Sequence, residues 1–309
     1  MKKVGILAKV FSPAKINLFF ATTGRRLDGH HDVFSANCAV AWGDNLQIRE
    51  RRCAPDEISC SSSFADEKNN SIAMALNAFR QRIGQKKYFS VALEKNIPVE
   101  AGFGGGSSNA AAALRGVNWL SGNILSFDDL MKLCHGIGAD CPFFLDGRPS
   151  MATGIGNVLA PMDGQMVAAL QNYSLLIFKP GFGVSTKVAY ATLRENFQHL
   201  YVGQDEARHR FTCLREAVVA GRKELPLFNT FSDMFFLRHK NLLSLCRRLK
   251  EIGANAMLTG SGSGFFCLIH RSLAIDAAEQ VIRQELGEHA FIHNPELLLR
   301  KPCEVEAQE

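Results

Sequence analysis

Polar and apolar positions alternate with a period of two over several early stretches of the chain, the pattern of half-buried strands. Residues 1–10, 11–20, 33–42, 44–50, 57–61 and 88–95 read as strands on this basis. Within 11–20, Lys15 and Asn17 are two positions apart and face one side, while Ile16 and Leu18 face the other. Two polar side chains among apolar neighbours call for a polar partner; the plain alternative is a solvent-facing edge. Helical spacing marks residues 69–80, with Asn70 or Ser71 as N-cap, and 107–120. A further helix opens at Ser126, with an acid three residues on in a variant of the capping box, and runs to about Gly136. Residues 147–160 read as a hairpin around Gly154 and Gly156. Beyond 162 come a strand at 173–179, a turn at 180–183 and a helix at 184–193 capped by Ser185 or Thr186. A polar stretch at 204–210 precedes a helix to about 222, and an amphipathic helix at 241–252 stops at Gly253. Two strands flank a glycine-rich stretch within 257–269, and a last helix spans 273–286. Interleaved strands and helices in both halves predict an α+β fold. The expected division is a domain at 1–161, a second at 162–298, and a polar, frayed tail at 299–309.

The stretch from Pro98 to Leu114 stands apart from this alternation. It packs Gly102, Gly104, Gly105 and Gly106 ahead of Ser107 and Ser108, then turns directly into an alanine run. Strand, glycine loop and helix N-terminus in that order converge free N–H groups and the positive end of the helix dipole on one spot, which suits a phosphate. The loop is not a Walker A motif, because no lysine follows Gly106, and its spacing misses the dinucleotide fingerprint. The bland alternative is a flexible turn capped by Ser107 or Ser108. Asp140 lies in a nearly apolar segment ahead of Cys141 and Pro142. It is either a helix N-cap or a partly buried carboxylate that needs a cation, with Lys15 the candidate. His30 and His31 follow a charged turn; adjacent strand residues face opposite ways and no third ligand is near, so aromatic contact with a ligand base is favoured over metal.

Composition narrows the class. With 309 residues, 47% hydrophobic and 21% charged, the chain is an ordinary globular one with room for two medium domains. No apolar run approaches a membrane span, and the start reads as a strand and not a signal peptide, so a cytoplasmic protein is expected. The nine cysteines form no Cys-x-x-Cys pair and no His-Glu-x-x-His occurs, which predicts reduced thiols and no zinc site. A net charge of +5 is too weak and dispersed for nucleic acid but fits an anionic small molecule.

Three stretches taken together, 12–18, 98–112 and 258–264, resemble in order and spacing the three motifs of the GHMP kinases, which phosphorylate small metabolites with ATP. The resemblance spans about residues 10 to 290. It implies a two-domain fold, with an N-terminal ATP-binding domain, a C-terminal substrate-side domain and the active site in the cleft between them. Within the family, the Asp28-Gly29-His30-His31 turn and Gly138-Ala-Asp-Cys-Pro-Phe143 are similar to the branch that acts on a cytidine-diphosphate-linked methylerythritol. By that likeness Asp140 is the catalytic base and Lys15 its partner. Asn17, His30, His31, Thr186 and Tyr190 line the substrate site. Lys95, Pro98, Gly102, Gly104, Gly105, Gly106, Ser107, Ser108 and Asn109 surround ATP, with Mg²⁺ as companion ion and no ligand to it assigned.

Some positions depart from the family pattern. His30 stands where tyrosine is usual, Glu100 where glycine is common, Phe103 where leucine is common, and Asn109 replaces an acid. The base clamp is therefore expected to be His30 against Tyr190, with His31 on the base edge, and Glu100 is expected to face outward or towards Mg²⁺. The implied partner is a cytidine-diphosphate small molecule, with no nucleic acid or membrane, in a monomer or weak homodimer. The rival readings are a homoserine- or mevalonate-type kinase of the same family, a non-catalytic nucleotide-binding regulator, and an RNA-binding module.

Overall fold

Two long antiparallel strands, β1 (Leu7–Arg25) and β2 (His31–Arg51), make the backbone of the first sheet. The structure, a computed structural model, describes residues 6–61, 71–300 and 305–308. The strands expected at 1–10 and 11–20 are continuous from Leu7, and those expected at 33–42 and 44–50 are likewise one. Residues 1–5 and the cap candidate Asn70 lie outside the described residues. The break expected between 42 and 44 coincides with a register shift, where Pro13 faces Gly43 and Ala14 faces Val40, whereas the pairing runs unbroken through Val10 and Phe11. Proline has no N–H to give the ladder, so the pairing slips at a bulge and the strand carries on.

The chain continues through β3 (Glu57–Cys60), α1 (Ser71–Ile83), β4 (Tyr88–Glu94), α2 (Gly105–Leu120), α3 (Phe127–Ile137), α4 (Cys141–Asp146), β5 (Ser150–Thr153) and β6 (Val158–Pro161). Then follow α5 (Gly164–Ala169), β7 (Tyr173–Lys179), α6 (Thr186–Asn196), α7 (Gln204–Val219), β8 (Phe228–Asn229), α8 (Phe231–Arg238), α9 (Lys240–Glu251), β9 (Ala254–Leu258), β10 (Phe265–His270), α10 (Ile275–Leu286), β11 (Phe291–His293), β12 (Leu297–Leu298) and β13 (Glu306–Gln308). The first sheet runs β13-β1-β2-β4-β3, with β5 and β12 also paired to β2, β6 to β5 and β8 to β1. The second runs β11-β7-β10-β9. The fold is α+β, as the interleaved pattern predicts.

Packing explains the elements. Ala110 to Ala113 of α2 are fully buried against Val10, Leu46 and Ile48, so the alanine run brings the helix axis close to the first sheet. The other face of that sheet, through Ile16, Leu18 and Phe19, packs on Leu175, Ile177, Phe266 and Leu268 of the second sheet. The far face of the second sheet buries Phe231, Leu245, Leu249 and Ile282 from α8, α9 and α10. Because both faces of β1 are covered, Lys15 and Asn17 are buried, which removes the reading of a solvent-facing edge.

Several local expectations change. The polar stretch at 204–210 is the first two turns of α7, whose acids Asp205 and Glu206 sit where the helix dipole favours them. α8 was not foreseen, although Phe231, Met234 and Phe235 have the spacing of a buried helical face. The end of the chain does not fray over its described part: Glu306 to Gln308 pair with Lys9 to Leu7. Two strands therefore pair with β1 on that side of the sheet, β13 from the end of the chain and β8 from the middle of its second half.

Phe19 is fully buried with its ring against Phe34, Phe211 and Phe228, drawn from β2, α7 and β8. Phe19→Ala should lower the unfolding free energy by about 3–5 kcal/mol, the usual cost of a phenylalanine cavity, read from a denaturant midpoint at unchanged slope.

Candidate active site

The phosphate-loop candidate is anchored at its root by one carboxylate. Asp44, fully buried, accepts from the backbone N–H of Asn96 at 2.7 Å and of Ile97 at 2.8 Å, and pairs with Lys95 Nζ at 2.5 Å. The loop ends at Gly104, whose φ of 74° is left-handed and which makes no side-chain cap bond. The helix thus starts at Gly105, two residues before the expected 107, and neither Ser107 nor Ser108 caps it. Its first N–H groups are left for a ligand. A Cβ on Gly105 would lie 2.8 Å from Lys95 Nζ, so that ammonium sits beside the first helical turn.

The second glycine stretch holds the first in place. Gly102 has a φ of 76°, and a Cβ there would run into the Thr259 carbonyl, so only glycine fits. Gly264 N–H donates to Ala101 O at 3.0 Å, and Ser263 N–H to Glu100 O at 3.3 Å. Glu100 itself is left-handed, with φ 55°, and its carboxylate turns towards Gly183 and Lys179. It is exposed there, which meets the outward alternative of the expectation. Phe103 is buried under the loop beside Trp42 and Phe291.

Beneath the loop lies Lys15, only 4% exposed. Its N–H donates to Phe103 O at 3.0 Å, and its Nζ donates to Asn17 Oδ1 at 2.6 Å and lies 3.8 Å from Asp140 Oδ2. Burial pulls the Lys15 pKa down, and the Asp140 carboxylate opposes that shift. Asn17 is held in turn: its Nδ2 donates to Ser35 Oγ and Asn37 Oδ1, each at 2.8 Å, and its Oδ1 accepts from Thr259 Oγ1 at 3.3 Å. Asp140 occupies the N-cap position of α4 but makes no capping bond, leaving its side chain, 37% exposed, for Lys15 and the cavity.

One cavity of about 1010 Å³ gathers these groups. Lys15, Asn17, Asp140, Lys95, Pro98, Gly102, Gly104, Gly105, Gly106, Ser107 and Asn109 line it, together with His30, His31, Thr186 and Tyr190. Ser108 does not: it is fully buried, 2.8 Å from Ser12 Oγ, and ties α2 to β1. Asn109 has its Oδ1 engaged by Ser12 Oγ at 2.7 Å, so its oxygen is not aimed at an ion. Thr186 Oγ1 meets Ser261 Oγ at 3.0 Å, joining the start of α6 to the second glycine stretch.

The expected ring pair is corrected. The ring stacked on Tyr190 is that of His31, with centroids 4.8 Å apart and planes at 30°. His30 stands at the mouth with its side chain 64% exposed, close to Asp28. The physical reason is the hairpin: His31 is the first residue of β2 and points inward, which sends its neighbour out. Burial is the first cause of a lowered His31 pKa, reinforced by Arg194, Arg25 and His30. Burial likewise raises that of Tyr190.

Sequence reasoning missed Asp44, Ser35, Asn37, Thr259, Ser261 and Tyr201. Thr259 and Ser261 lay inside a recognised glycine stretch; Asp44 carried no local signal. No helix among the described residues is long and apolar enough to cross a membrane. Among the same residues no cluster of three or more His, Cys, Asp or Glu could hold a metal.

Removing Asn17 would strip Lys15 Nζ of its 2.6 Å acceptor and leave Asn37 and Ser35 without their shared donor. Asn17→Ala should cost about 1–3 kcal/mol of stability, the price of buried polar groups left unpaired, measured by chemical denaturation.

The family model described as GHMP kinases N terminal domain matches residues 70–148. A 4-diphosphocytidyl-2-C-methyl-D-erythritol kinase of Protochlamydia amoebophila is 33% identical over 262 residues, covering 84% of each chain. The protein of the same name from Thermotoga maritima is 32% identical over 261 residues, 84% of this chain and 92% of its own. A crystal structure of 4-(cytidine 5'-diphospho)-2C-methyl-D-erythritol kinase superposes with a TM-score of 0.72 at 27% identity, over 94% of this chain and 98% of that one. A homoserine kinase from Cytophaga hutchinsonii reaches the same TM-score of 0.72 at 15% identity, a likeness of fold alone. With relatives of this identity and coverage, the chain belongs to the 4-diphosphocytidyl-2-C-methyl-D-erythritol kinase family of the GHMP kinases.

Proposed function

We propose that the protein transfers the γ-phosphoryl group of ATP to the 2-hydroxyl of 4-diphosphocytidyl-2-C-methyl-D-erythritol, a step of non-mevalonate isoprenoid precursor synthesis. The observation that carries this reading is that Lys15 and Asp140, 3.8 Å apart, share one cavity with the glycine loop and with His30, His31 and Tyr190. Phosphoryl transfer asks for alignment and charge neutralisation more than covalent help. The uncapped N–H groups at Gly105 and beyond, with Lys95 beside them, suit the ATP phosphates. Lys15 offers a cation to the γ-phosphate, and Asn17 fixes where that cation points. Asp140 accepts the proton of the substrate hydroxyl as the new P–O bond forms and the β–γ bond breaks, with ADP leaving.

Magnesium enters this reading with the nucleotide. Two carboxylates line the cavity, Asp140 beside Lys15 and Glu100 turned towards Gly183. With the nearby Ser107, Asp140 fits an ion that keeps most of its water and its phosphate ligands, as Mg²⁺ does, and no cage of three or more His, Cys, Asp or Glu is present among the described residues. When bound it offsets charge on the β- and γ-phosphates. The base-side end of the cavity uses rings from both halves of the chain. His31 and Tyr190 already form one stack, and His30 is free to cover a base at the mouth.

A homoserine- or mevalonate-type kinase needs no such group of rings. A coupled ADP-release assay with the cytidylated alcohol, free methylerythritol phosphate, homoserine and mevalonate tests the choice. The cytidylated alcohol should be preferred by roughly 5- to 150-fold in kcat/KM over the same alcohol without its base, the worth of stacking one base. Equal use of homoserine would overturn the substrate. Asp140→Asn should retain nucleotide binding and lose roughly 10²- to 10⁴-fold in kcat, as for a positioned base, and turnover near that of wild type would remove the role.

A further inference from the structure

His31 has two of its three recognition surfaces already used by the protein. One ring face lies on Tyr190, and its Nε2 lies 2.9 Å from the hydroxyl of Tyr201, whose ring stands edge-on at 5.8 Å and 80°. Among the described residues nothing bonds its Nδ1, and the residue lines the cavity. Tyr201 and His31 come together from far apart in sequence, yet both are pinned to the same end of β1. Val202 N–H donates to Thr22 O at 3.0 Å, and His31 pairs with Arg25. The hydroxyl therefore meets the imidazole on a rigid frame and not across a loose loop.

The charge state of the ring matters to what that bond does. Around His31 stand Arg194 of α6, Arg25 at the end of β1, and His30, all cationic or able to become so, with Tyr190 and Tyr201 as neutral neighbours. Burial first and then these cations pull its pKa down, and no carboxylate opposes them, which favours the neutral imidazole. A neutral imidazole has one N–H and one lone pair, and its tautomer is set by whatever holds the other nitrogen. A phenol is the better donor of the two groups. With its O–H given to Nε2, the ring proton is placed on Nδ1.

We propose that Tyr201 is a positioning residue for substrate recognition: it locks the plane and the Nδ1–H tautomer of His31, which then presents a fixed donor to the pyrimidine edge of the substrate. This rests on the cytidylated substrate proposed above. Tyr201 touches no reacting atom, so its loss should act on substrate affinity and leave the chemical step alone.

Tyr201→Phe keeps the ring and removes the hydroxyl. The variant should raise KM for the cytidylated alcohol by about 2- to 13-fold, the worth of one hydrogen bond, with kcat and the KM for ATP unchanged. Long-range ¹⁵N–¹H spectra of the imidazole should show one tautomer in the wild type and a mixture in the variant. In a His31→Ala background, adding Tyr201→Phe should move KM by less than about twofold, because the two side chains act as one unit. An unchanged KM, fully additive effects in that cycle, or parallel losses of kcat and ATP affinity would each overturn the assignment. A wild type that ignores the cytidylated alcohol removes the proposed substrate and this role with it. A wild type that uses that alcohol, while Tyr201→Phe matches it, removes the role of Tyr201 alone.

Discussion

A lysine ammonium almost wholly withdrawn from water governs how this molecule is put together. An isolated charge in such a place is strongly disfavoured, and only close hydrogen-bond acceptors and a counter-charge make it tolerable. Lys15 has Asn17 at 2.6 Å and Asp140 at 3.8 Å, and apart from Asn17 the groups of this network lie outside β1. Ser35 and Asn37 come from β2, Thr259 from the second glycine stretch, and Asp140 from the start of α4. Burying this one cation thus obliges both halves of the chain to meet at the same point.

The loop above it depends on the same meeting. Its root is held by Asp44, its crest by backbone bonds to residues 263 and 264, and its floor by the Lys15 amide. An anion site made of main-chain N–H groups has no side chain to steer it, so its geometry is only as good as the surfaces on which the backbone rests. Here those surfaces are a buried carboxylate on one side and a strand-to-strand turn on the other.

Much of this was legible from the residues. The spacing of Lys15 and Asn17 put them on one face, and an acid in an apolar segment singled out Asp140; both readings concern local pattern. The glycine-rich runs were visible for the same reason. What stayed hidden depends on partners remote in sequence. Asp44 reads as an ordinary strand polar residue until Lys95, Asn96 and Ile97 are folded onto it. Ser108 sits in the motif that suits a phosphate, yet its hydroxyl is taken by Ser12. Which of two adjacent histidines faces inward is decided by where β2 begins, and element boundaries are the weakest part of any pattern argument. The bulge opposite Pro13 falls where the residue pattern divides β2, between 42 and 44, and the pairing keeps that strand whole.

The contact between Gly102 and Thr259 also bears on how the protein comes into being. The residues that would receive nucleotide belong to the early part of the chain, but the turn on which they lean follows α9 and is made late. During synthesis the early portion would emerge with its strands and its alanine-rich helix able to pack, and with its loop still unsupported. The shape of the loop is therefore a property of the finished chain, since the carbonyl and amides that hold its crest arrive only with the residues after α9.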